Sequence, residues 1–388
     1  MISSRRLRVW AILAGLGIAL WLASTGHAEG NVADEVRHDL DGLRGFTVPK
    51  DPKMIAAMNQ RMDATWKFAK AHANEALPII AEELQRALAA PAKDSFFIMD
   101  TAFLLCSEHR KGAEELGVAA LQAIDPNADI IRANWQELFE LAMKVGASGV
   151  EARRYLAAVD RLYFSNEKGI EMFRVPHYVL LNGEELRLMV FGVAGDAAAV
   201  YLAEQLADRP GDRPKLLELL GAVGGEEQVP AVNAVLTKAK DFETVTRCVG
   251  MLMRVGGPAG RAAVLAVDPK SMDRASRDYM EKIRRSVEGV SVKQIAKELE
   301  EVAEGQPNDA TLQHLLDEME RNDGVDDKTP PAAVLRSGLP TDALLAQMKR
   351  IRARSFRRMA SHVFEDLPIT NLLINGLQFR RAAEQAGK

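Results

Sequence analysis

Ser165-Asn166-Glu167-Lys168 places a hydroxyl and an amine at the S-x-x-K spacing of serine acyl-transfer sites, where the lysine side would take the serine proton. The companion parts are missing, because Lys328-Thr329-Pro330 is not K-T-G and no S-x-N triplet follows at a useful distance. Val255-Gly256-Gly257-Pro258-Ala259-Gly260 is glycine-rich, yet it lacks the flanking strand and the lysine of a phosphate cradle. The seven histidines form no H-E-x-x-H, no C-x-x-C-H and no i, i+4 pair. His109 has Glu108 and Glu114 nearby in sequence, and His362 has Glu365 and Asp366. Each histidine can find one carboxylate, whereas a metal needs three or four converging ligands. With 54 acidic residues, neighbouring carboxylates are unavoidable and nominate no acid-base pair. The residues therefore point to no catalytic set, no metal and no cofactor.

Two features suit binding rather than chemistry. Tyr155, Tyr163 and Tyr178, with Phe164, Phe173 and His177, concentrate three of the five tyrosines around one stretch of chain. Tyrosine-rich patches favour partner contacts, although the same rings could be buried by the stretch folding back. The second feature is charge. From Glu298 to Asp327 eleven acidic residues face one arginine, a net of −10, while Lys349 to Lys388 holds nine basic and three acidic residues, a net of +6. Arg350, Arg354 and Arg357 share one helical face, opposite Leu344, Met348, Ile351, Phe356, Met359 and Val363. Such a face suits an acidic protein partner or an anionic membrane surface, or it complements the acidic stretch within the chain.

The elements that must position these residues are helical. Hydrophobic residues make up 47% of the 388-residue chain and charged residues 27%, with only 6% aromatic, and alanine and leucine dominate. That balance fits helices better than sheet and excludes an all-β fold. A net charge of −4 gives no basic footprint for nucleic acid. Val193-Ala194-Gly195, Val223-Gly224-Gly225, Val255-Gly256-Gly257 and Val287-Glu288-Gly289 recur at spacings of 30, 32 and 32 residues. Each triplet closes one apolar helical run and opens the next: Leu186 to Val193 then Ala197 to Leu206, Leu216 to Val223 then Val229 to Leu236, Val249 to Val255 then Ala259 to Val267, Tyr279 to Val287 then Val290 to Leu299. The unit is helix, glycine turn, helix, and glycine suits a left-handed helix end or a close backbone approach. Lys111-Gly112 and Val145-Gly146, 34 apart, mark two earlier units, after which the period breaks over the 49 residues from Gly146 to Gly195.

These repeats resemble the HEAT-repeat family of α-solenoids, clearly over residues 186–303 and less cleanly over 94–162. Ser95-Phe96-Phe97-Ile98-Met99-Asp100-Thr101-Ala102-Phe103-Leu104-Leu105, with Ala123-Ile124-Asp125-Pro126 after it, resembles the opening of exported bacterial HEAT-repeat proteins of unassigned function. The short units and the absence of a regular Asp and Arg ladder depart from the better-known pattern. The resemblance implies an all-α fold, an α-solenoid of stacked HEAT-like hairpins with repeats of about 30–34 residues. It implies no reaction.

The flanks complete the organisation. Arg5, Arg6 and Arg8 precede an apolar run from Val9 to Ser24, and Gly26 and Ala28 sit at the small-residue positions of a cleavage site. Residues 1–28 thus read as a secretory signal peptide, with inner-membrane anchoring by residues 9–24 as the alternative for a run somewhat short of a full span. Loss of the three arginines takes the net charge from −4 to −7. Residues 29–93 read as an extended lead to about residue 52 and an N-terminal helical cap over Met54 to Leu88. Residues 163–185 are an insert, and 304–388 a C-terminal helical cap carrying the basic helix. Cys106 and Cys248, 142 residues apart, are not expected to bridge in a linear array. The expectation is a non-catalytic interaction scaffold in the bacterial periplasm with a protein partner. The alternative is an enzyme or enzyme-accessory subunit of cell-envelope metabolism that uses the insert.

Overall fold

A computed structural model describes residues 31–45, 52–108, 112–129, 131, 134–148, 151–163, 173–175, 179–181, 183–301, 309–321, 331–357 and 363–387. The described chain is all-α apart from one short antiparallel hairpin, in which β1 (Phe173–Val175) pairs with β2 (Val179–Leu181) and Arg174 lies opposite Leu180. The chain divides into two compact units, Met1–Leu141 and Ala142–Lys388.

The first unit contains α1 (Val32–Asp41), α2 (Pro52–Ala71), α3 (Ala73–Ala89), α4 (Ser95–Ser107), α5 (Ala113–Ala123) and the start of α6 (Trp135–Ala147). Helix α4 is its centre. Phe96, Phe97, Ile98, Met99, Ala102, Leu104 and Leu105 are all buried, so the helix is enclosed on every side rather than along one stripe. Asp94 caps it by accepting the Phe97 N–H at 3.0 Å, and Ser95 Oγ accepts the Asp125 N–H at 2.9 Å beyond α5. The segment read as an extended lead is helical over α1. Asn31 caps it by accepting the Ala33 N–H, and Val36, Leu40 and Leu43 are buried where α1 packs on α2 and α3. Few apolar anchors suffice when their spacing puts them on one face. The two expected cap helices are α2 and α3.

The second unit continues with α7 (Ala152–Tyr163), α8 (Gly183–Gly192), α9 (Asp196–Asp208), α10 (Arg213–Val223), α11 (Val229–Leu236), α12 (Phe242–Val255), α13 (Gly257–Ala266), α14 (Arg274–Val287) and α15 (Val292–Glu301). Alternate helices stack: α8 on α10, α10 on α12 and α12 on α14 form one layer, while α7 on α9, α9 on α11 and α11 on α13 form the other. The repeat turns connect the layers. Gly195, Gly257 and Gly289 adopt the positive φ expected of such turns, at 58°, 56° and 84°. The second turn differs, since Gly224 and Gly225 stay in extended backbone and glycine serves there for close approach: a Cβ on Gly224 would collide with the Leu220 carbonyl.

Three helices follow with their own core, α16 (Asp309–Arg321), α17 (Pro331–Arg336) and α18 (Thr341–Ser355), and the long α19 (Val363–Ala386) closes the chain. Leu312, Leu316, Val334, Leu344, Met348, Ile351, Ile374 and Leu377 form one apolar cluster among them. The C-terminal segment is more than an end cap, because α19 also packs against α12, α13 and α15. Phe356, just past α18, lies on Gly192, where a Cβ would come within 2.5 Å of its ring.

Candidate functional site

The fold-back of α18 and α19 onto the repeat turns creates a cleft of about 500 Å³ in the second unit. Its wall on α18 carries Asp342, Leu345, Ala346, Lys349, Arg350 and Ala353, residues spaced to share one helical face. Val193, Ala194 and Gly195 come from the turn before α9 and Asp196 from its first position, Glu227 comes from the turn before α11, and Gln378 and Arg381 come from α19.

Beneath the cleft, buried side chains satisfy the helix ends that the turns leave open. Arg352 is 2% exposed. It donates to the Val223 carbonyl at 2.6 Å, the Gly224 carbonyl at 2.8 Å and Asn371 Oδ1 at 2.9 Å. Burial pushes the Arg352 guanidinium down to about 10, opposed by the charges of Asp196 and Glu227. Asn371 Nδ2 donates to the Ala222 carbonyl at 3.1 Å, and Asn375 accepts the Gly257 N–H at 3.0 Å while donating to the Met253 carbonyl at 3.4 Å. Gln378 follows on the same face, so that a Cβ on Gly257 would meet its Oε1 at 2.5 Å. Residues 371, 375 and 378 repeat at helical spacing in an otherwise apolar segment, a signal available in the sequence and passed over in favour of the charged residues. Arg352 sat unremarked between Arg350 and Arg354.

The rim is ionic. Lys349 Nζ donates to Glu227 Oε1 at 2.7 Å, and Arg381 Nη2 pairs with Glu226 Oε1 at 2.5 Å. Burial alone would raise the Glu227 carboxyl, but the Lys349 hydrogen bond and charge, with Arg381, hold it below its ordinary value.

The basic face nominated from sequence is distributed over internal acceptors. Arg350 donates through Nε and Nη2 to Glu320 of α16 at 2.8 and 3.3 Å, a pairing that raises the guanidinium above its ordinary value. Arg354 Nη1 donates to the Glu320 carbonyl at 2.7 Å, and Arg357 Nη2 to the Ala147 carbonyl at 2.9 Å. Arg350 and Arg357 remain exposed and Arg354 is half-buried. The acidic and basic stretches thus meet at Glu320. The aromatic cluster does not assemble as a surface among the described residues. Tyr163 is fully buried at the end of α7, and Tyr155, also buried, donates to the Val190 carbonyl at 2.6 Å; burial raises both phenols. A ring closed off in the core cannot serve as a docking residue, so Tyr163 is corrected to a packing residue. Phe173 opens β1, while Phe164, Ser165, Lys168, His177 and Tyr178 lie outside the described residues.

No family model, no curated protein and no solved structure matches this chain. Site assignment therefore rests on its own geometry. Among the described residues no group of three or more His, Cys, Asp or Glu is placed to hold a metal ion. Cys106 and Cys248 are both buried and no disulfide joins them, and burial pushes the Cys248 thiol up to about 12, which makes it a poor nucleophile. In the first unit Asp100 is a buried carboxyl on α4, 4% exposed. Burial first, then the charge of Glu137, push it up to about 8 against a hydrogen bond with Trp66. A neutral acid at this position can donate a hydrogen bond.

Proposed function

We propose that the chain is an exported, non-catalytic interaction scaffold, an α-solenoid of HEAT-like hairpins working in the bacterial periplasm. The observation that supports this reading is the alternate-helix stacking from α7 to α14, whose turns carry the glycines at 30 to 32 residue spacing. Stacked hairpins expose long regular faces suited to a protein partner. The signal-like residues 1–28 lie outside the described residues, and no described helix is long and apolar enough to cross a membrane. Arg350, paired with Glu320, and Arg357, on the Ala147 carbonyl, are both exposed and offer such a partner, or an anionic membrane surface, an ionic contact at the edge of the C-terminal helices.

Affinity capture with residues 29–388 from an envelope extract tests this reading. A stoichiometric partner should be retained by the wild type, and an Arg350→Gln, Arg357→Gln double variant should retain less of it, with the difference shrinking at high salt. Native protein should begin at Glu29. Intact Met1 in washed membranes, or an identical partner profile in the variant at every salt concentration, would count against the reading.

A further inference from the structure

The first unit seals a carboxyl in its centre and gives it no counter-charge. Asp100 of α4 is 4% exposed, and its Oδ2 has no hydrogen-bond partner among the described residues. The helices around it have no cation to spare. On α3 the buried Glu83 holds Arg44 and Arg86 at 2.7 and 2.6 Å, and α5 carries Glu114 and Glu115 but no Lys or Arg. From α2 the Trp66 indole gives Asp100 one hydrogen bond, while Lys67 and Lys70 are exposed and Lys70 is paired with Glu108 at 3.1 Å. From α6 comes Glu137, a second carboxylate, with Glu140 one turn further on. A buried carboxylate that faces another carboxylate and no cation is strongly disfavoured, so Asp100 is neutral while these helices are packed.

The neighbours meet the ionised form unequally. The Trp66 N–H favours a carboxylate, since it donates to it, whereas Glu137 opposes one by charge. Ionisation therefore works against α6 and leaves α2 in place. Gln136, Glu137 and Glu140 are half-buried among the buried Trp135, Leu138 and Phe139, so an outward shift of this end of α6 would bring water to the carboxyl. The step needs no co-reactant: the Asp100 O–H bond breaks and water takes the proton.

We propose that Asp100 and Glu137 form a proton-operated latch, in which the neutral Asp100 carboxyl lets residues 135–141 of α6 close on α4 and loss of its proton lets them open. The latch lies inside the first unit and is independent of the scaffold reading. Hydrogen exchange of the full chain, followed by mass spectrometry and corrected for the intrinsic pH dependence of amide exchange, tests it. Peptides covering residues 135–141 should exchange about tenfold faster or more at pH 8 than at pH 6, because opening gains with each proton released over that range. Peptides from α4, and from α10 in the second unit, should keep one corrected rate. Asp100→Asn retains the shape of the neutral acid and should abolish the rise. Glu137→Gln removes the like charge and should reduce it. Equal corrected exchange over residues 135–141 in the wild type at the two pH values overturns the proposal, as does an undiminished rise in either variant. A rise shared equally by α4 also overturns it, because that pattern is unfolding of the whole unit.

Discussion

Asp100 shows how a single residue can be dictated by its surroundings. It lies in the middle of an apolar helix, and α4 is buried on all sides, so its carboxyl has no route to water. The folded unit keeps it protonated up to about pH 8, whereas an ordinary aspartate has released its proton by about pH 4. Between those two values the unfolded chain has released the proton and the folded chain has not. Stability of the first unit must then fall as pH rises from about 4 to about 8, and level off above. Glu137, raised by burial, adds to the same trend. Asp100→Asn keeps the shape of the neutral acid and removes its titration. In thermal melts at pH 5 and pH 8.5 the variant should lose much of the pH slope and exceed the wild type in stability at the higher pH. A slope equal to the wild-type slope would mean that Asp100 ionises freely in the folded state.

At the scale of elements, the decisive contacts join α18 and α19 to the repeat turns. The C-terminal carbonyls of α10 and α12 are orphans of helix geometry, and Arg352, Asn371 and Asn375 answer them from outside the repeat. Arg352→Met should cost about 3 kcal/mol or more, since it leaves two carbonyls and an amide oxygen buried without a donor. Arg352→Lys should recover little, because one ammonium cannot span the three acceptors that the planar fork reaches. Denaturant midpoints of the two variants would check this; a neutral methionine variant would show that water reaches the turns. Helix positions were legible in the sequence because glycine spacing and apolar periodicity are local properties. Residues Val229–Leu236 match the expected run at both ends, and α12 extends earlier only because Asp241 caps it, accepting the Thr244 N–H at 2.8 Å. Helix α1 was missed because three anchors in a polar segment resemble an irregular lead until their partners on α2 and α3 are known. The fold-back of α19 was illegible for a related reason: Gly257 and Asn375, which are hydrogen-bonded, lie 118 residues apart in sequence.

Over the whole molecule, charge is segregated along the chain and reunited by the fold. The net −10 and net +6 stretches of the C-terminal third meet where Glu320 of α16 takes Arg350 and Arg354 of α18. The sequence displayed the imbalance but not its resolution, since a basic helical face looks the same whether it awaits a partner or covers an acidic neighbour. Exposure decides how much the pairing is worth. Arg350 is largely open to solvent, so screening limits the pair to about 0–1 kcal/mol. Reversing one charge is a sharper probe than removing it, because like charges held at one site repel. Arg350→Glu should lower stability modestly at low salt, and Glu320→Arg alone should do the same by facing Arg350 and Arg354. Combined, the two changes restore an opposite pair in the same place. The double variant should therefore be more stable than the sum of the single effects predicts, by a few tenths of a kcal/mol, and the excess should vanish at high salt. Strict additivity at low salt would show that the fold does not use this pair to reconcile its charged segments, and would return Arg350 wholly to the solvent-facing surface.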